Sequence, residues 1–389
     1  MAALTTIEAT DRYTVPNYAR FPVAFVRGEG RRLWDENGKV YLDMLSGLGV
    51  SSLGHGHPDL VAAIRDQAAA LLHTSNLYYH RPGALLAERL VERTFADRVF
   101  FCNSGTEANE AAIKMARRFS GGRHEIVSAL KSFHGRTMGA LAATGQPQLH
   151  EGFGPMPQGF VHVPYDDVGA LERAIGPDTA AVLIEPILGE SGVIVPSEGY
   201  LEAVRGLCDR AGALLIVDEV QTGAGRCGHL LAHEYENIRP DLCTMAKGLA
   251  GGLPIGAVLA SEAVAQAFVP GTHGSTFGAN PVSCSAALAV LDALFDGGVL
   301  EHCREVGEYL GGRLSELAGR RDDVLEARGR GLMRAIELKG QAKPVVERAL
   351  ELGLIVNATA GSVVRMLPPL TITREEIDEG VELLERALG

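Results

Sequence analysis

The sequence predicts an α/β protein: a mostly parallel central sheet covered by helices, with an antiparallel meander before it and an α+β unit after it. Three observations predict this. From about residue 47 onward, short apolar runs alternate with helical patterns, as residues 99–101 then 107–119 and residues 180–184 then 199–210 do. Two of the runs, 181–184 and 214–217, are apolar without alternation, as expected for strands buried on both faces. The two ends of the chain lack this rhythm.

Near the N-terminus, residues 23–26, 32–34 and 40–42 read as short strands broken by Gly28, Gly30 and Asn37-Gly38, the last a strong hairpin signal. His55-Gly56-His57-Pro58 reads as a turn ahead of a helix near Asp59; two histidines without a third ligand at a metal-binding spacing do not make a metal site. The buried runs end in Glu185 and Asp218. Ligands of open α/β sheets bind beyond the carboxyl ends of the strands, so acids placed there are candidates for function. A long helix is expected over residues 281–294, after which Gly297-Gly298 and a charged stretch lead into the C-terminal unit. There, residues 362–367 read as a strand stopped by Pro368-Pro369. A capping box at Thr373-Arg374-Glu375-Glu376 then opens a helix with Ile377, Val381, Leu384 and Leu388 on one face.

A chain of 389 residues can bury about three quarters of its unfolded surface. Its 46% hydrophobic and 22% charged residues, with 47 Gly and 18 Pro, suit a globular protein rich in tight turns. The formal net charge of -12 would repel nucleic acid and anionic membranes, so an acidic substrate must be caught by local arginines. Six scattered cysteines without a C-x-x-C pair disfavour a disulfide framework or zinc ribbon and fit a reduced, cytoplasmic setting. Glu8 and Asp11 sit where a secretory signal would be basic and then apolar, and no run approaches the ~18–20 apolar residues of a membrane span.

Two stretches carry chemistry. Asn103-Ser104-Gly105-Thr106-Glu107 follows a strand and opens an Ala-rich helix; Ser104 and Glu107 have capping-box spacing, and the free N–H groups favour an anion such as phosphate. Taken alone, the stretch is equally a well-capped helix. Asp218-Glu219-Val220-Gln221 ends a buried strand and precedes Lys247. A buried carboxylate needs a cationic or hydrogen-bonding partner, which a protonated pyridine nitrogen supplies, and a lysine among Gly248, Gly251 and Gly252 is not in an ordinary exposed helix. Gly223-Ala224-Gly225-Arg226-Cys227-Gly228 matches the dinucleotide fingerprint formally, but no apolar helix opens from Gly228.

Together these residues resemble the class III aminotransferases of fold type I, over nearly the whole chain, and most closely their acetylornithine branch. The motifs are residues 103–109, Phe133-His134-Gly135-Arg136-Thr137, Glu185-Pro186 with Gly189-Glu190, residues 218–221, Lys247, and His273-Gly274-Ser275-Thr276-Phe277. The resemblance implies a large domain at 47–290 that binds pyridoxal 5'-phosphate, and a small α+β domain made from 1–46 and 291–389. It also implies a homodimer with the active site at the subunit interface. Ser104, Gly105 and Thr106 would receive the cofactor phosphate, joined by Thr276 of a neighbouring subunit. Phe133 would stack on the ring beside Val220, Asp218 would pair with the ring nitrogen, and Gln221 would sit near the phenolic oxygen. Lys247 would attach the cofactor and then act as the catalytic base with a lowered pKa.

For substrates, the resemblance implies that Arg136 grips the carboxylate remote from the reacting amine, with Ser275 nearby and Tyr18 assisting. Arg365 would hold the carboxylate next to the keto group of 2-oxoglutarate, and Glu190 would mask it while the ω-amine is bound. Leu48 stands where ornithine aminotransferases carry a tyrosine, which favours an acylated donor. The implied reaction moves the δ-amino group of N2-acetylornithine to 2-oxoglutarate, giving N-acetylglutamate 5-semialdehyde and glutamate, as in arginine biosynthesis. N-succinyldiaminopimelate, succinylornithine and ornithine stay open as donors, and an aminomutase, a decarboxylase or a nucleotide-binding oxidoreductase as other classes. Ala279 and Cys227 depart from a usual glycine and threonine.

Overall fold

The computed structural model describes residues 4–389, and among them fifteen strands. The first three are β1 (Phe25–Glu29), β2 (Arg32–Asp35) and β3 (Val40–Asp43). Seven follow: β4 (Arg98–Cys102), β5 (Glu125–Ala129), β6 (Phe160–Val163), β7 (Thr179–Ile184), β8 (Leu214–Asp218), β9 (Leu242–Met245) and β10 (Gly256–Ala260). The last five are β11 (Val324–Arg330), β12 (Met333–Leu338), β13 (Leu354–Ile355), β14 (Asn357–Thr359) and β15 (Val363–Met366).

The central sheet has the order β4-β10-β9-β8-β7-β5-β6. Its pairs are parallel except the two made by β10, which runs against both β4 and β9. Every residue of β7 and β8 is buried, which explains their lack of alternation: both faces meet helices, so both must be apolar. The chain steps from β5 out to β6, then returns to place β7 on the other side of β5. That reversal opens a crevice beyond the carboxyl ends of β5, β7 and β8, the place where such sheets bind ligands.

The helix Gly105–Phe119 lies close to this sheet because its inward face is small: Ala108, Ala111, Ala112 and Ala116 are all fully buried. Ser104 caps it by accepting from the Glu107 N–H at 3.3 Å. The reciprocal half of the expected capping box is displaced by one residue, because the Glu107 carboxylate accepts from the Asn103 N–H instead.

The meander forms as expected, with one correction. Gly28 lies inside β1 and does not break it; the turn falls at Gly30, where φ is 57°. Asp35 accepts from the N–H groups of Asn37 and Lys39 at 2.9 Å each and so folds the Asn37-Gly38 turn. Two-residue β13 pairs in parallel with β3, which brings late chain onto the early sheet. A second small sheet has the order β11-β12-β15-β14. The closing helix Arg374–Leu388 carries the capping box at Thr373 and buries Ile377, Val381 and Leu384. It sits so near Met44 that a Cβ on Gly380 would lie 2.2 Å from the Met44 sulfur. No single helix among the described residues is long and apolar enough to cross a membrane.

Candidate active site

The crevice is a cavity of about 450 Å³. Most of its walls are loops leaving the carboxyl ends of strands, joined by Val50 and by the stretch Gly252 to Ile255 that enters β10. The loop after β4 brings Ser104, Gly105 and Thr106, the loop after β5 brings Phe133, His134 and Arg136, and the loop after β7 brings Glu185 and Glu190. The turn after β8 supplies Asp218, Val220 and Gln221, and Lys247 follows β9.

At the start of the helix Gly105–Phe119, the N–H groups of Gly105 and Thr106 precede the first intrahelical bond, from Ala108 N–H to the Ser104 carbonyl, and so are free for an anion. The glycine is required by packing: a Cβ at position 105 would lie 2.6 Å from Val220 Cγ1. Thr106 Oγ1 accepts from the N–H groups of Arg136 and Thr137 at 3.2 and 3.3 Å, tying the helix start to the Arg136 loop. The Arg136 guanidinium lies over the Phe133 ring, 5.5 Å from its centroid.

Asp218 is 3% exposed and held on both oxygens. Its Oδ2 accepts from Asn109 Nδ2 at 2.7 Å and pairs with His134 Nδ1 at 2.8 Å, while Oδ1 accepts from the Val220 N–H at 3.0 Å. Asn109 is itself fixed, accepting from Thr244 Oγ1 at 2.8 Å and donating to the His134 carbonyl at 2.7 Å. A carboxylate so oriented needs no reorganisation to meet a cationic ring N–H.

Lys247 is half-buried with φ at 40°, in the left-handed region. Burial lowers the pKa of its amine, with Glu190 pulling the other way and Arg365 adding to the lowering. Arg365 is wholly buried behind Glu190: Nη1 donates to Glu190 Oε1 at 2.8 Å, to Gln221 Oε1 at 3.0 Å and to the Gly189 carbonyl at 3.0 Å. Burial pushes the Glu190 carboxyl up, but Arg365, Lys247 and a hydrogen bond from Gln221 outweigh it and hold the group at about 2.

Ten of the residues expected at the site therefore line one cavity: Ser104, Gly105, Thr106, Phe133, Arg136, Glu190, Asp218, Val220, Gln221 and Lys247. Arg365 stands directly behind them. Three others do not join them within one chain. Tyr18 is 69% exposed and lies over Arg20, 5.3 Å from guanidinium to ring centroid, away from the cavity lining. Thr276 is exposed, and Ser275 directs Oγ to the Asn103 side chain at 3.1 Å and the Gly278 N–H at 3.0 Å. Gln221, besides lining the cavity, engages the Glu190 and Arg365 pair with both ends of its amide.

Sequence reasoning gave no role to Asn109 or His134, although both stand inside quoted motifs. Glu185, an acid at a strand end and part of a quoted motif, likewise has a structural role that spacing does not reveal. It accepts from the Phe133 N–H at 2.8 Å and the Gly189 N–H at 3.3 Å, clamping two walls together. Burial raises its carboxyl pKa, with His134 opposing and Asp218 reinforcing. The Gly223 to Gly228 stretch folds as consecutive turns, with Gly223 N–H donating to the Glu219 carbonyl and Gly228 N–H to that of Gly225, both at 2.9 Å.

A ring-bearing phosphate ester fits this cavity. The cradle at Gly105 is closed to any Cβ, Asp218 is braced to face a cation, and Lys247 supplies a primary amine of lowered basicity. The family model "Aminotransferase class-III" matches residues 13–388. An acetylornithine aminotransferase of Methanothermobacter thermautotrophicus is 48% identical over 383 residues, 98% of either chain. Acetylornithine aminotransferase 1 of Bordetella pertussis is 51% identical over 375 residues, 94% of this chain and 95% of its own. Among solved structures, the ornithine aminotransferase of Toxoplasma gondii superposes with a TM-score of 0.94 at 36% identity, covering 99% of this chain and 98% of its own. A second structure of that Toxoplasma enzyme has pyridoxal phosphate partially occupying its active site. The acetylornithine aminotransferase of Elizabethkingia anophelis gives 0.88 at 34% identity, covering 98% and 97%. With a family match spanning all but the chain's extremities, and a cavity built for the ring and phosphate of pyridoxal phosphate, this chain belongs to the class-III aminotransferases, enzymes that depend on that cofactor.

Proposed function

We propose that this enzyme transfers the δ-amino group of N2-acetylornithine to 2-oxoglutarate, producing N-acetylglutamate 5-semialdehyde and glutamate in arginine biosynthesis. The observation that carries the reading is the Glu190 and Arg365 pair set beside Lys247, 2.8 Å between Arg365 Nη1 and Glu190 Oε1. A guanidinium masked by a movable carboxylate suits an enzyme that must accept, in turn, an ω-amine and a 2-oxo dicarboxylate. The identity of 46–51% to several acetylornithine aminotransferases over 94–98% of this chain supports the choice of donor.

Pyridoxal phosphate, when bound, supplies the electron sink that lets an amine-bearing carbon give up its proton. The remaining work falls to the protein. Gly105 and Thr106 N–H groups at the helix N-terminus would hold the phosphate, aided by Ser104 as cap and by Thr276 of a second subunit. Asp218 would pair with the protonated ring nitrogen, Phe133 would stack on the ring with Val220 also in contact, and Lys247 would attach the cofactor. Lys247 Nζ then takes up the proton at the amine-bearing carbon, a task made easier by its lowered pKa. Arg136 and Ser275 hold the remote carboxylate of the donor, with Tyr18 brought in by assembly. Glu190 leaves Arg365 when 2-oxoglutarate arrives.

The chain divides in this reading into a large cofactor-binding domain at 47–290 and a small domain from 1–46 and 291–389. Two copies assemble, each completing the other's site, and the enzyme works in the cytoplasm, where six free buried thiols stay reduced. Incubation with N2-acetylornithine and 2-oxoglutarate should release one glutamate per semialdehyde, and Lys247→Ala should abolish both. Product without stoichiometric glutamate would point instead to an intramolecular mutase. Succinylornithine, N-succinyldiaminopimelate and ornithine are the competing donors.

A further inference from the structure

Gln221 makes contacts to the Glu190 and Arg365 pair in addition to lining the cavity. Its Oε1 accepts from Arg365 Nη1 at 3.0 Å and its Nε2 donates to Glu190 Oε1 at 2.9 Å. Since a guanidinium can only donate and an ionised carboxylate can only accept, these partners fix which way the amide points. The amide lies against the Gly189 backbone, so close that a Cβ on Gly189 would lie 2.1 Å from Gln221 Oε1. Gln221 is 8% exposed, lines the same cavity as Lys247, and is directed at the gate.

Opening the gate has a consequence for this amide. When Glu190 leaves, Arg365 loses a charged acceptor and Gln221 Nε2 loses its only acceptor among the described residues, both on the same Oε1 atom. An unpaired buried donor is costly, and the group that displaces Glu190 carries the acceptors needed to restore both bonds. Arg365 is also pinned by Gly189, Gln221 and Asn357, so it cannot follow the departing carboxylate.

We infer that Gln221 is the third member of the gate: its Nε2 donates to the carboxylate of the keto-acid co-substrate at the position Glu190 Oε1 vacates, while its Oε1 holds Arg365 still. Gln221 is thereby a specificity-determining residue for the dicarboxylate half of the reaction. This rests on the proposed function, because it presupposes that a 2-oxo dicarboxylate enters.

The test uses the holoenzyme and glutarate, a dicarboxylate that cannot react. Gln221→Met keeps the side chain's length and removes both hydrogen-bonding ends. Gln221→Glu places a second carboxylate on Arg365 and caps it permanently. Glutarate affinity by calorimetry should fall at least tenfold in Gln221→Met and further in Gln221→Glu. The KM for 2-oxoglutarate should rise at least tenfold more than the KM for the amine donor. Pyridoxal phosphate affinity, read from cofactor fluorescence, should change less than glutarate affinity. Glutarate binding within twofold of the unsubstituted enzyme in both variants would overturn the inference. So would equal rises in both KM values, which would make Gln221 a residue serving the cofactor alone. Failure of the unsubstituted enzyme to bind glutarate at all would overturn the proposed function together with the inference.

Discussion

Lys247 is placed where its own charge is disfavoured, and its neighbours set the sign of every change made around it. Burial lowers its pKa, Glu190 raises it and Arg365 lowers it. Glu190→Gln should therefore move the titration of the lysine in the cofactor-free enzyme to lower pH, and Arg365→Met should move it to higher pH. The pH dependence of labelling by an amine-directed reagent measures both; shifts of the opposite sign would contradict the assigned electrostatics. Ala279, which departs from a usual glycine, sits at φ 61°. An L-residue there costs about 1–2 kcal/mol, of which a glycine's extra unfolded-state entropy offsets about 0.4–1 kcal/mol. Ala279→Gly should thus stabilise the protein by about 0.5–1 kcal/mol in denaturant unfolding. Cys227 has a different explanation: it is fully buried among Ile187, Val193 and Leu367, where a thiol needs no partner but a hydroxyl would.

The elements matter through their ends. Strands β5, β7 and β8 deliver three loops to one crevice, and the helix Gly105–Phe119 turns its first N–H groups toward it. The start of that helix is seated on Val220, so Gly105→Ala must push the two apart, because the new Cβ would lie only 2.6 Å from Val220 Cγ1. Cofactor affinity in that variant should fall at least tenfold, measured by fluorescence titration, while helix content stays unchanged. Affinity equal to the parent's would show that the phosphate does not rest there. Strands 180–184 and 214–217 and the closing helix were legible in sequence because burial on one or two faces dictates side-chain polarity. Gly28 misled because a glycine's freedom permits a break without requiring one, and β1 runs through it. The displaced bond of Glu107 was not legible, since spacing cannot say which of two adjacent N–H groups a carboxylate takes. Nor could spacing reveal the Asn109, His134 and Asp218 cluster, whose members are 109 and 84 residues apart for the two contacts to Asp218.

At the scale of the whole molecule, one chain leaves apolar surface uncovered beside the site. Leu72, Leu77, Tyr78, Tyr79 and Phe277 are 62, 84, 71, 106 and 61% exposed, more than scattered surface residues account for. A second copy covering this face would bury them and bring Thr276 to the neighbouring phosphate end. Leu77→Asp with Tyr79→Asp should then sediment as a monomer and bind pyridoxal phosphate more weakly; an intact dimer would refute this placement of the interface. A net charge of -12 opposes anionic substrates, so in the proposed reaction Arg136, and Arg365 once Glu190 has left it, would have to supply the local positive charge for their carboxylates. In the proposed reaction an ω-amine reaches Lys247 with its far end acylated, and this is measured by comparing kcat/KM for N2-acetylornithine and free ornithine, each with saturating 2-oxoglutarate. That reaction predicts at least tenfold preference for N2-acetylornithine; equal or better use of ornithine would contradict it.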